Sequence, residues 1–236
     1  MKDPININLR NFRRFFYFRY VIQLPWYIYF IVASILAGIT VYFKHPTPFY
    51  LKLFPIFLFV TLIFEVITTW MTIHRGNNLS VYNIYFIFSF LFYLNFFRET
   101  VHNQIVKRII IVLIISFILL SVINIIYFQK IDQWNSISYS IGCLLIIVLS
   151  FYYFFEIFQH PKATKLSSEP TFWISSGLLF YYSCSFPFLS PINFLKSMPK
   201  VLLLNLESIF NILIALLHIL FIIAFLCRIK FRRPAQ

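Results

Sequence analysis

Charge is scarce in this chain. Only 11% of its 236 residues are Asp, Glu, Lys or Arg, against about 25% in soluble domains. So few charges cannot cover a water-facing surface. Glycine is also rare, at four positions: Gly38, Gly76, Gly142 and Gly177. That excludes a Gly-rich phosphate loop and a GxSxG nucleophile elbow. The three cysteines, Cys143, Cys184 and Cys227, lie inside apolar runs, with none at CxxC spacing. An odd, dispersed set does not build a disulfide framework, and each reads as a small apolar residue. The five histidines are scattered and no HExxH occurs, so no metal site and no zincin are expected. The last apolar run has no interior lysine for a retinal Schiff base, and no arginine-rich voltage-sensor helix or carbonyl-lined filter is visible. No cofactor is expected and no catalytic residues are assigned.

What is present is apolar and aromatic. Hydrophobic residues make up 61% of the chain and aromatic residues 22%. They fall in continuous runs such as 109–128, and not in the alternating segments of about ten residues that build a membrane β-barrel. A span needs about 20 apolar residues. Seven are expected, at about 21–43, 51–73, 80–98, 107–128, 137–158, 171–190 and 202–227. The fold class is therefore all-α, an integral membrane seven-helix bundle occupying 21–228 as one domain. The links are short. Ser80 is expected to cap the third helix, and Ser168-Glu169-Pro170 reads as the start of the sixth.

Residues 1–20 interleave Arg10, Arg13 and Arg14 with Phe12, Phe15, Phe16 and Phe18. This segment reads as an interfacial helix or as a basic lead-in to the first span. Residues 229–236 form a short basic C-terminal tail. The net charge of +13 sits in ends and links, as membrane topology requires. It suits anionic lipid head groups, and no nucleic-acid partner is expected. Lys and Arg divide eleven to nine between the two sides, and eleven to four once the first 20 residues are set aside. This favours the N-terminus outside and the C-terminus in the cytoplasm, although the basic N-terminal segment resists translocation.

A carboxylate in hydrocarbon costs a few kcal/mol or more, so it normally faces the bundle interior or water. Glu65 and Glu207 stand well inside spans two and seven, while Glu156 sits near the end of span five. At about 100° per residue, Glu207, Asn211 and His218 share a face of helix seven. Thr61, Glu65, Thr68, Thr69 and Thr72 share one on helix two, and Tyr82, Tyr85, Ser89 and Tyr93 one on helix three. Helix six adds Ser175, Tyr181, Tyr182 and Ser185. With alternating helices these groups converge in one half of the membrane. Individually, such Thr, Ser, Tyr and Asn residues are ordinary interhelical contacts. Together with the carboxylates they outline a ligand site made of Glu65, Thr69, Tyr82, Tyr85, Tyr182, Glu207, Asn211 and His218.

Asn77-Asn78-Leu79-Ser80-Val81-Tyr82-Asn83 opens helix three, and Phe172-Trp173-Ile174-Ser175-Ser176-Gly177-Leu178-Leu179-Phe180-Tyr181-Tyr182 forms most of helix six. With Glu65, these segments resemble a family of bacterial seven-helix integral membrane proteins that carries no established activity. The resemblance implies the seven-helix layout and a bacterial inner membrane, and it transfers no functional residue.

Three functions fit these features. A sensor would bind a small polar or cationic ligand, or a proton, and signal through a cytoplasmic or membrane partner, since the short basic C-terminal stretch holds no kinase or cyclase. A transporter or channel would use Glu65 and Glu207 as a proton or ion relay. A scaffold would use the polar stripes only for packing. An enzyme built on Glu65, Glu207 or His218 is the least favoured reading.

Overall fold

The computed structural model describes residues 25–43, 47–74, 77–159, 166–191, 193 and 200–227. The N-terminal segment 1–20, Gln23 and the tail 229–236 lie outside them. Among the described residues the chain is all-helical and contains no strand. Among these residues seven α-helices follow one another: α1 Ile28–Ile39, α2 Phe49–His74, α3 Leu79–Thr100, α4 Gln104–Ile123, α5 Ser136–Gln159, α6 Pro170–Leu189 and α7 Lys200–Leu226. A 3-10 turn, Thr40–Phe43, extends α1, and a π-helical turn, Asn124–Phe128, ends α4.

Five helices are long and apolar enough to cross a membrane: α2, α3, α4 with its π turn, α5 and α7. The other two fall short for different reasons. α1 with its 3-10 turn covers only Ile28–Phe43, which at about 1.5 Å per residue is shorter than a hydrocarbon core of ~30 Å. α6 has the length, but Ser175, Ser176, Ser183, Ser185, Tyr181 and Tyr182 dilute its apolar character.

The packing order is not the chain order. α1, α2, α3, α5, α6 and α7 contact in a closed ring, α7 returning to α1, while α4 packs outside against α3 and α5. α4 accordingly buries only Ile110, Phe117 and Ser121 and exposes Ile109, Val112, Ile115 and Leu119. That outward face is as apolar as the buried core, which is what a lipid-facing surface requires. Inside the ring, Phe54 is fully buried and makes edge contacts with Phe92, Phe96, Phe221 and Phe225. Close approach of α5 to α3 depends on Gly142, where an added Cβ would lie 2.6 Å from the Phe90 ring.

Helix ends follow local chemistry. α6 begins at Pro170 behind Glu169, as expected from the sequence; proline suits the first turn because its missing N–H needs no partner there. α3 begins at Leu79, so Ser80 lies inside the helix and does not cap it. The Asn77 side chain instead accepts from the Leu79 N–H at 3.2 Å, and the Asn78 amide donates to Thr72 Oγ1 at 2.6 Å. Glu156 is 8% exposed and accepts from the His102 and Asn103 N–H groups at 2.9 Å each. It thus satisfies backbone donors at the α3–α4 link, just before α4 begins.

Candidate functional site

A cavity of about 160 Å³ lies inside the ring, toward the end formed by the α2 C-terminus and the α7 N-terminus. Five helices and one loop build it. α2 supplies Thr61 and Glu65, α3 Tyr82, Tyr85 and Tyr93, and α7 Glu207, Asn211 and His218. α1 adds Tyr27 and Ile31, α6 adds Tyr181, and the link between α4 and α5 adds Trp134. Alternating helix directions bring late residues of α2 and α6 level with early residues of α3 and α7.

Six of the eight sequence-derived site residues line this cavity: Glu65, Tyr82, Tyr85, Glu207, Asn211 and His218. Thr69 and Tyr182 do not. Thr69 is one helical turn beyond Glu65, about 6 Å further along α2, and Glu65 is the last α2 residue on the cavity wall. Tyr182 is turned about 100° from its neighbour Tyr181. It packs into the core against Phe90 at 5.3 Å, 5% exposed, and Tyr181 takes the cavity position. Most of the threonine stripe also closes on its own helix: Thr61, Thr68 and Thr72 each donate to a carbonyl three or four residues earlier.

Glu65 is 8% exposed, and its Oε2 accepts a hydrogen bond from the Tyr27 hydroxyl at 2.9 Å. The partner comes from α1, 38 positions away, and nothing in the pattern of α1 marks it. His218 on α7 is 4% exposed, with Nδ1 2.9 Å from Ser34 Oγ on α1. The single Ser34 hydroxyl proton goes to the Ile31 carbonyl at 2.7 Å, so His218 donates from Nδ1 and leaves Nε2 as an acceptor. Tyr85 donates to Thr61 Oγ1 at 3.2 Å. α1 and Tyr27 at its N-cap therefore supply the partners of Glu65 and His218, a role that the short length and plain composition of α1 conceal.

Trp134 lines the cavity, and Asn83 of α3 holds the segment that carries it. The Asn83 amide donates to the carbonyls of Ile131 at 2.8 Å and Gln133 at 2.6 Å, and its Oδ1 accepts from the Asn135 N–H at 3.2 Å. The Trp134 indole N–H donates to the Leu189 carbonyl of α6, and the Asn193 amide donates to the Trp134 carbonyl at 2.6 Å. Asn83 appeared in the sequence only as one residue of the α3 opening segment. The single available signal was a buried-face amide one turn from a short link.

A second cavity, of about 380 Å³, lies at the opposite end of the ring, among Tyr50, Glu99, Thr100, His102, Tyr153, Glu156, Glu169 and Thr171. Between the two cavities stands an aromatic septum. Phe57, which lines the first, stacks on Phe92 with ring centroids 4.0 Å apart, and Tyr50, which lines the second, contacts Phe96 edge-on at 5.7 Å. Phe54 fills the level between them. No group of three or more His, Cys, Asp or Glu side chains suited to a metal ion occurs among the described residues. In comparisons with known proteins, no family model matched the chain, and no similar curated protein or solved structure was found.

Proposed function

We propose that this chain is a seven-helix integral membrane protein whose cavity binds a small polar or cationic ligand and passes its occupancy to a partner protein. In this reading α1 and α6 cross the bilayer beside the five long apolar helices, since they complete the same ring. The lysine and arginine distribution favours an outward N-terminus and a cytoplasmic C-terminus in a bacterial inner membrane. The observation that carries the reading is the convergence of Glu65 and Glu207 on one cavity with Tyr85, Asn211 and His218. Carboxylates inside an apolar bundle are costly to keep, and their usual reason is a ligand, an ion or a proton path. The segment carrying Trp134, tied to α3, α6 and Asn193, is the element through which occupancy would reach the surface.

A second reading, transport, draws support from the second cavity and the aromatic septum. Two cavities at opposite ends, parted by a few ring layers, are what alternating access between two sides would require.

The test is binding by the purified chain in lipid nanodiscs, measured by calorimetry against small cationic and hydroxylated molecules. Saturable binding is expected, and binding of the cationic molecules should be weakened in E65Q and E207Q. Intact ligand and pH responses in both variants would sink the proposal. Uptake into proteoliposomes above empty liposomes favours transport, whereas binding with flat flux favours sensing.

A further inference from the structure

The hydrogen-bonding groups that face the cavity are unequal in kind. Four hydroxyl protons around it are committed within the protein: Tyr27 to Glu65, Tyr85 to Thr61, Thr61 to the Phe57 carbonyl, and Ser34 to the Ile31 carbonyl. Among the described residues Tyr27 is the one hydrogen-bond donor to Glu65, so the carboxylate retains acceptor capacity toward the cavity. His218 retains Nε2, an acceptor with no protein partner among the described residues, on a ring that is 4% exposed and lines the cavity. Glu207 brings a second carboxylate to the wall. Among the described residues no lysine or arginine lines the cavity. A ligand that fits the open acceptors of Glu65 and His218 donates hydrogen bonds, and beside the Glu65 carboxylate it carries positive charge.

The walls narrow the class further. Phe57, Tyr85, Phe86, Tyr93, Trp134 and Tyr181 present aromatic surface, which attracts cations through ring quadrupoles and also accepts apolar surface. Small hard metal ions take carboxylate, carbonyl and water oxygens, whereas most of the side-chain oxygens on this wall are tyrosine and threonine hydroxyls. The cavity of about 160 Å³ is close to an engineered cavity of roughly 150 Å³ that takes up benzene. It therefore admits one ring-sized group with a short arm.

Building on the ligand-binding reading, we propose that the ligand is a primary or secondary organic ammonium ion bearing a ring-sized apolar group. Glu65 is its counter-ion, His218 Nε2 accepts one of its N–H bonds, and the apolar group lies among the aromatic walls.

The experiment compares 2-phenylethylammonium, 2-phenylethanol and phenylacetate as probes, by calorimetry on the full chain in nanodiscs at neutral pH. The three share size and differ in charge and donor capacity. The ammonium is expected to bind about 10–100-fold tighter than the alcohol, the range of a charge-assisted over a neutral hydrogen bond, and phenylacetate weakest. E65Q should remove most of that preference while leaving alcohol affinity within about threefold, a shift smaller than one neutral hydrogen bond. Equal affinity for ammonium and alcohol, or unchanged ammonium affinity in E65Q, overturns the assignment and leaves a ligand cavity standing. Failure of all three probes to bind at millimolar concentration overturns the assignment together with the ligand-binding reading. The charge series on the unsubstituted chain decides the matter even if E65Q fails to fold.

Discussion

Replacing Asn83 by alanine removes three hydrogen bonds from a side chain that is 2% exposed. Its two amide donors hold Ile131 and Gln133, and its oxygen holds the Asn135 N–H. A neutral hydrogen bond contributes about 0.5–1.5 kcal/mol net, so the three together stabilise the Trp134 segment by roughly 1.5–4.5 kcal/mol. The lower half of that range is favoured, because the freed Ile131 and Gln133 carbonyls lie in a link near the surface and can recruit water. A loss of about 1.5–3 kcal/mol corresponds to a 10- to 150-fold larger population of the open segment. Hydrogen exchange at residues 131–136 should accelerate by that factor while the interior of α5 stays protected. Trp134, 4% exposed, should become accessible to acrylamide. N83D should be worse than alanine. It keeps the acceptor for Asn135 but turns an anion toward two carbonyls. The reasoning is refuted if N83A leaves exchange at 131–136 within twofold of wild type, or if N83D matches wild type.

Other substitutions probe separate parts of the fold. Y27F leaves the buried Glu65 without its α1 donor and should lower stability in detergent by about 1–3 kcal/mol. A double-mutant cycle of Y27F with E65Q should show a coupling above ~0.5 kcal/mol, and strict additivity would count against the bond. G142V places carbon where the Phe90 ring already lies and should cost about 1–3 kcal/mol through forced shifts of α3 against α5; an unchanged thermal midpoint would contradict that packing. E156A leaves the His102 and Asn103 N–H groups without their acceptor. It should destabilise by about 1.5–3 kcal/mol, with faster exchange at 102–105, and E156Q should recover part of the loss because one oxygen remains.

The element layout was legible because apolar run length is a one-dimensional property. Each expected span of 51–73, 80–98, 107–128 and 137–158 lies within three residues of the helix found there, α4 being taken with its π turn. Alternating helix directions also placed Glu65, Glu207, Tyr82 and Tyr85 toward a common level, and helical periodicity placed Asn211 and His218 on the face of Glu207. It failed where the answer depended on neighbours. Thr69 shares the threonine stripe but stays off the cavity wall, and Tyr181 and Tyr182 are adjacent tyrosines that only packing tells apart. Ser80 looked like a cap because its residue type is favoured there, whereas the Asn77 side chain reaches the first N–H.

The sequence by itself determined the all-helical class, the positions of the apolar helices and the levels at which their polar groups lie. Backbone hydrogen bonding and burial act along the chain, so composition and period are enough for those. Only the tertiary structure decided that α4 stands outside the ring and that Tyr27 and Ser34 of α1 serve Glu65 and His218. It also decided that Asn83 secures the segment that carries Trp134 to the cavity wall. Those relations depend on which helix lies beside which, and several orders of packing would satisfy the same seven amphipathic patterns. The selection among them comes from local fit, such as the Phe90 ring against Gly142, that no single helix records.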